Sequence, residues 1–180
     1  GFKSFSVNAR SENWVDKTDS VSIAVDGTPP PLPTGLASAT HPAGVWSNSA
    51  NISFNWTQPA DNVSGVLGYS WILQATAGLP NTTQDIGAVN SYVTTLPGSF
   101  GTYYFSLRPV DRSGNWNAGY ASYGPVLYDG VQPDYITGLT SSTHAAGSYS
   151  CNPSVSVSWN PMTDGGGSGV AGASYLWDHN

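Results

Sequence analysis

The sequence predicts an all-β chain built from tandem β-sandwich units, and three observations carry that expectation. Large apolar residues recur at every second position: Ile52, Phe54 and Trp56 alternate with Ser53 and Asn55, and Tyr69, Trp71 and Leu73 alternate with Ser70 and Ile72. A period of two is that of a half-buried strand, and no segment carries a helical stripe. The runs are short and bounded by Gly, Pro, Asn and Asp, the strand-and-turn pattern of a sandwich. Finally, Thr34-Gly35-Leu36 returns 103 positions later as Thr137-Gly138-Leu139, and Thr40-His41 as Thr143-His144. Trp56, Asp61 and Asp26-Gly27 return at the same offset as Trp159, Asp164 and Asp129-Gly130. Self-similarity at a fixed period marks a repeated structural unit.

Taken in order, the strands of the middle unit are expected around Ile52–Trp56, Tyr69–Leu73, Tyr92–Leu96, Tyr103–Leu107 and Tyr123–Tyr128. The repeat is out of phase with the ends of the chain. Gly1-Phe2-Lys3-Ser4-Phe5-Ser6-Val7 matches Gly101-Thr102-Tyr103-Tyr104-Phe105-Ser106-Leu107, and Asn13-Trp14 matches Asn115-Trp116. Residues 1–30 therefore read as the C-terminal part of one repeat, 31–133 as a complete repeat, and 134–180 as the N-terminal part of the next. Thr28-Pro29-Pro30-Pro31-Leu32-Pro33 and Asp129-Gly130-Val131-Gln132-Pro133 read as linkers. Proline favours extended geometry, so the units are expected to stand as semi-rigid beads. The two partial units are complementary, lacking only the counterpart of about 78–103. Neighbouring chains completing one another by strand exchange is one explanation. A boundary drawn through a longer polypeptide, suggested by the absence of an initiator Met or signal peptide, is the preferred one.

Composition narrows the classes of function. Of 180 residues, 39% are hydrophobic and 12% aromatic, enough for a packed core, but only 9% are charged. A usual chain has about 25%. The surface must then be Ser, Thr, Asn and Gly, which suits a secreted protein. With five Lys and Arg in total and a net charge of −6, the basic clusters that neutralise phosphates are missing. The same shortage speaks against an anionic membrane surface, and no apolar run spans a bilayer. Cys151 is alone and fills the slot of Asn48, so no internal disulfide framework exists; a reactive thiol or an intermolecular disulfide is the minority reading.

Leu96-Pro97-Gly98, then Tyr103 to Arg108, then Asp111-Arg112-Ser113-Gly114-Asn115-Trp116 resembles the second half of a fibronectin type III domain, an Ig-like β-sandwich. That family places a Leu-x-Pro-Gly turn before a Tyr-led strand and a polar hairpin loop, and keeps a core tryptophan where Trp56 stands. The variant is the one common in large secreted bacterial surface proteins. The resemblance covers essentially the whole chain. It departs in a Leu96–Tyr103 spacing one residue longer, and in a Phe5–Trp14 stretch two residues shorter that lacks the loop aspartate. It implies a non-catalytic structural repeat segment of an extracellular or cell-surface protein or filament, a spacer or adhesive stalk. The alternative is a carbohydrate-binding accessory module of a secreted multidomain enzyme. Expected partners are neighbouring repeats or identical chains, or a polysaccharide, with no nucleic acid.

Few motifs carry chemistry. Gly167-Ser168-Gly169-Val170-Ala171-Gly172 fits a dinucleotide fingerprint, which needs a helix behind it. Here it leads into an expected strand, Ala173–Trp177, so it reads as a loop. His41 and His144 lack a nucleophile and a carboxylate beside them and read as locally bonded turn residues. His179 tells nothing. No catalytic group and no cofactor are expected. The aspartates are the better candidates: Asp61, Asp111, Asp129 and Asp164 sit in loops near the linkers, where Ca²⁺ could find carboxylate and carbonyl oxygens. Aspartate is also an ordinary turn residue, which is the preferred reading. Trp46, Trp116 and Tyr120 are the aromatics placed to contact a ligand. Asn51, Asn55, Asn62 and Asn81 stand in N-glycan acceptor sequences.

Overall fold

The structure, a computed structural model, describes residues 2–10, 12 and 16–178; the Trp14 and His179 readings lie outside these. The fold is all-β. Its strands are β1 Phe2–Arg10, β2 Asp16–Ala24, β3 Thr34–Ala37, β4 Trp46–Ser47, β5 Asn51–Thr57, β6 Val66–Gln74, β7 Ile86–Gly87, β8 Ser91–Thr95, β9 Phe100–Asp111, β10 Ala121–Asp129, β11 Thr140–Ser141 and β12 Val157–Ser158. Between residues 34 and 129 they form two sheets. One has the order β3-β5-β8, the other β4-β10-β9-β6-β7. All their pairings are antiparallel except β10 with β4.

The alternation in β5 decides how these sheets meet. Ile52, Phe54 and Trp56 point inward and are buried, while Asn51, Asn55 and Thr57 face solvent. The inward residues pack on Tyr69 of β6, Phe105 and Leu107 of β9, and Val126 and Tyr128 of β10, so both sheets share one core, consistent with a β-sandwich. Phe54 and Phe105 stack across the gap at 4.0 Å between centroids, and Trp56 meets Tyr69 edge-on at 5.5 Å. Burying a large apolar side chain contributes about 1.5–3 kcal/mol, which explains why the aromatic content is concentrated here. The Trp56 Nε1 and Tyr69 hydroxyl are enclosed without hydrogen-bond partners, and burial pushes the Tyr69 phenol up.

Two polar devices fasten this core. Gly98, at φ 73°, turns the chain where a side chain would be strained, and the Tyr103 hydroxyl donates to the Pro97 carbonyl of the same turn. His41, fully buried, holds the Ser49 carbonyl through Nε2 (2.8 Å) and Thr40 Oγ1 through Nδ1 (3.1 Å). Donation to a carbonyl fixes the proton on Nε2, so Nδ1 accepts from the threonine hydroxyl. Both ring nitrogens are thus occupied by structural bonds.

On either side the chain is thinner. β1 and β2 form a separate two-stranded ribbon in which Phe5 opposes Val21 and Lys3 opposes Ile23. At the other end β11 and β12 pair Thr140 with Ser158, the counterparts of Ala37 and Asn55, which pair in the same way. The strand expected at Ala173–Trp177 is not formed. Its counterpart β6 is held by β9, and among the described residues no strand of that kind lies beside 173–177. The proline-rich segment 28–33, expected as a linker, is not a free spacer either. Pro30 is fully buried, and its carbonyl accepts from Asn117 Nδ2 at 2.7 Å.

Candidate functional site

The site with the most converging polar groups lies where residues 26–30 meet the loops after β5 and β9. Asp26 follows β2 and turns the chain into the linker, its Oδ1 accepting from the Thr28 amide at 3.0 Å. Its Oδ2 accepts from the Ser64 amide at 3.0 Å, 38 residues away. Asp61 holds the loop that presents Ser64: Oδ1 accepts from the Val63 amide at 3.1 Å and Oδ2 from the Ser64 hydroxyl at 3.4 Å. Gly65, at φ 80°, lets that loop turn back into β6. Asp111 ends β9 and is fully buried. It accepts from the amides of Ser113 (2.9 Å) and Asn115 (2.8 Å) and from Asn115 Nδ2 (2.7 Å), which also donates to the Asp26 carbonyl at 3.0 Å.

One carboxylate oxygen from each of Asp26, Asp61 and Asp111 lies within 4.8 Å of the other two. Three like charges this close repel, and the N–H and O–H donors just described offset that repulsion. All six oxygens accept at least one bond. The Ser64 side chain, then the Thr28 amide, hold Asp26 below the ordinary carboxylate value of 3.8. The aspartate ligand set suits a hard cation such as Ca²⁺, which takes oxygen ligands only.

Asp129 and Asp164 repeat the arrangement. Asp129, 5% exposed, accepts from the amides of Val131 (3.0 Å) and Ser168 (2.9 Å). Asp164 accepts from the Gly166 amide at 3.1 Å and the Ser168 hydroxyl at 3.2 Å. The Ser168 side chain and amide hold Asp129 low, as Ser64 does for Asp26. The four aspartates chosen from sequence therefore divide in pairs: Asp61 with Asp111 in the first joint, Asp129 with Asp164 in the second. Asp26 completes the first cluster. Its signal was present in the repeat, as the counterpart of Asp129.

The aromatic candidates separate. Trp46, 40% exposed, borders an open cleft of about 420 Å³ with Ser47, Asn48, Asp129 and Ser168. Trp116 is half-buried, and the Arg108 guanidinium lies over its ring at 5.6 Å, which occupies one stacking face. Tyr120 is half-buried. Asn51, Asn55, Asn62 and Asn81 are all exposed, as is Cys151. His144 bonds Thr143 Oγ1 at 3.0 Å, as His41 bonds Thr40, and no helix follows the glycine-rich stretch at 167–172. No protein-family model matches the chain, and no curated protein is similar to it in sequence.

A pH dependence follows from the two depressed aspartates. Their native values lie below 3.8, so the stability they contribute is present above about pH 3.8 and is lost as pH falls through the lower native values. Limited proteolysis at the 26–30 segment should therefore stay flat from pH 7 to pH 5 and rise below pH 4. Asp26→Asn should remove that acid limb.

Proposed function

We propose that the chain is a non-catalytic structural segment of an extracellular or cell-surface protein or filament, a run of fibronectin type III-like β-sandwich repeats acting as spacer or adhesive stalk. The observation that carries this reading is the joint built twice, Asp26 on Ser64 and Asp129 on Ser168. A stalk keeps its ends apart only if each joint resists bending, and carboxylates that bridge linker to loop supply that resistance. The repeated detail before each joint supports one design used again: the Ser53 amide donates to Thr40 Oγ1, and the Ser156 amide to Thr143 Oγ1. The low charge content and the exposed Asn, Ser and Thr surface fit an extracellular setting.

Ca²⁺ is the ion proposed to accompany this function. Asp26, Asp61 and Asp111 would hold it through lone pairs their hydrogen bonds leave free, and its charge would relieve the repulsion among them. Small-angle scattering from concatenated copies of residues 26–133 tests both parts. The maximum dimension should grow linearly with copy number; growth as the square root would mean flexible joints and would overturn the stalk. Curves that are the same in Ca²⁺ and in chelator would remove the ion and leave the spacer standing.

The second reading, a carbohydrate-binding accessory module, is favoured by one observation: the Trp46 ring beside Asn48 and Asp129 in an open cleft. An exposed aromatic with polar groups at its edge suits a sugar ring. Retention on a polysaccharide that Trp46→Ala abolishes with the fold intact would favour it over the spacer.

A further inference from the structure

Ser70 and Ser106 stand on the face of β6 and β9 that points away from the shared core, yet both are fully buried. The segment 75–85, which joins β6 to β7, crosses over them as a strap. Its Gly78 amide donates to Ser106 Oγ at 3.3 Å, the Ser70 hydroxyl donates to Asp85 Oδ2 at 2.9 Å, and Pro80 between them is fully buried.

Arg108 lies on the same face, opposite Ser70 in the register, and reaches both the strap and the loop after β9. Its Nη1 donates to the Pro80 carbonyl at 3.1 Å and its Nε to the Asn117 carbonyl at 2.6 Å, with the guanidinium over Trp116 at 5.6 Å. A planar guanidinium sends its donors in fixed directions, so the two carbonyls are held in one geometry. Asn117 carries that constraint to the linker. Its amide donates to the Pro109 carbonyl at 3.1 Å while Arg108 holds its own carbonyl, which fixes its backbone on both sides. The Gly119 amide donates to Asn117 Oδ1 at 2.8 Å, and this turns Nδ2 toward the Pro30 carbonyl, 2.7 Å away.

We propose that Arg108 is the positioning residue of linker docking: by holding Pro80 and Asn117 together it aims the Asn117 side chain at Pro30 and couples the 75–85 strap to the joint. Such coupling is reciprocal, so an undocked linker loosens the strap and a lifted strap loosens the linker. The joint is then governed from two sides, by the Asp26 carboxylate on Ser64 and, through Arg108, by residues 75–85. The inference deepens the spacer reading and rests on it for its purpose, while the coupling is measured without it.

Amide exchange followed by NMR on the full chain tests it. Arg108→Gln should speed exchange about tenfold at Gly78 in the strap and at Ser64 in the joint, since two carbonyls lose a charged donor. The Phe105 amide of β9 should keep its native rate, which shows that the core is intact. Arg108→Lys keeps the charge without the planar fork, and should leave Ser64 as fast as Gln does. Asn117→Ala leaves Arg108 in place and reads the coupling in reverse, speeding Gly78 about threefold. Combined with Arg108→Gln it should change Ser64 by less than about twofold beyond the larger single effect, because both act through one contact. Native exchange at Ser64 in both Arg108 variants, single effects that simply multiply in the double variant, or native exchange at Gly78 in Asn117→Ala overturns the proposal. Square-root growth in the scattering experiment, with this coupling present, would overturn the stalk alone.

Discussion

Asp111→Ala should lower the stability of the 31–133 unit by about 3 kcal/mol, because two backbone amides and one side-chain amide lose a charged acceptor inside the fold. The relief of repulsion from Asp26 and Asp61 works against this loss, so the sum of the individual bonds is an overestimate. Asp111→Asn separates the two effects. It keeps an oxygen for the Ser113 and Asn115 backbone amides, removes the charge and the acceptor for Asn115 Nδ2, and should cost about 2 kcal/mol. Urea denaturation followed by tryptophan fluorescence reads both. Equal losses for Ala and Asn would mean that charge, and not acceptor geometry, is what Asp111 contributes. The Ala variant should also free the Asn115 amide from its fixed position, and with it the bond to the Asp26 carbonyl.

Phe105→Ala should be larger, about 4 kcal/mol, because it opens a cavity where both sheets meet. Phe105 is fully buried, stacked on Phe54 at 4.0 Å and within 5.8 Å of Trp71 and 6.5 Å of Trp56 and Tyr92. No neighbouring side chain can collapse into that space without breaking another ring contact. Phe5→Ala, at the matching position of the ribbon, should change the stability of the 31–133 unit by less than about 0.5 kcal/mol, since Phe5 is 64% exposed. Thermal unfolding of both variants measures the contrast. Similar losses would mean that the ribbon already belongs to the core.

These contrasts show which parts of the molecule were legible in the sequence. The period of two in Ile52–Trp56 determines which face of β5 is inward, because successive side chains must alternate. Asp61 and Asp111 were readable as loop aspartates, since turn chemistry is local. Their meeting with Asp26 was not, because the Asp26–Asn115 contact spans 89 residues and depends on how the linker docks. The 28–33 segment reads as a proline spacer in the sequence, whereas the Ser64 amide on the Asp26 carboxylate and the Asn115 and Asn117 side chains on the carbonyls of Asp26 and Pro30 tie it down. Residues 173–177 failed as a strand although their pattern matches β6. A strand is a property of a pair, and alternation alone supplies no partner. Trp46 and Trp116 are equivalent ligand candidates in the sequence, and the Arg108 guanidinium over the Trp116 ring distinguishes them.

The central claim is that the carboxylate joint fixes the ribbon relative to the unit that follows. Spin labels at Ser20→Cys and Ser91→Cys, both exposed positions, report the distance across that joint by double electron–electron resonance in a Cys151→Ser background. Measured at low protein concentration, the native joint should give one narrow distance distribution. Asp26→Ala should broaden it severalfold while the fold of residues 31–133 is kept. A distribution in the native chain as broad as in the Asp26→Ala variant would contradict the claim.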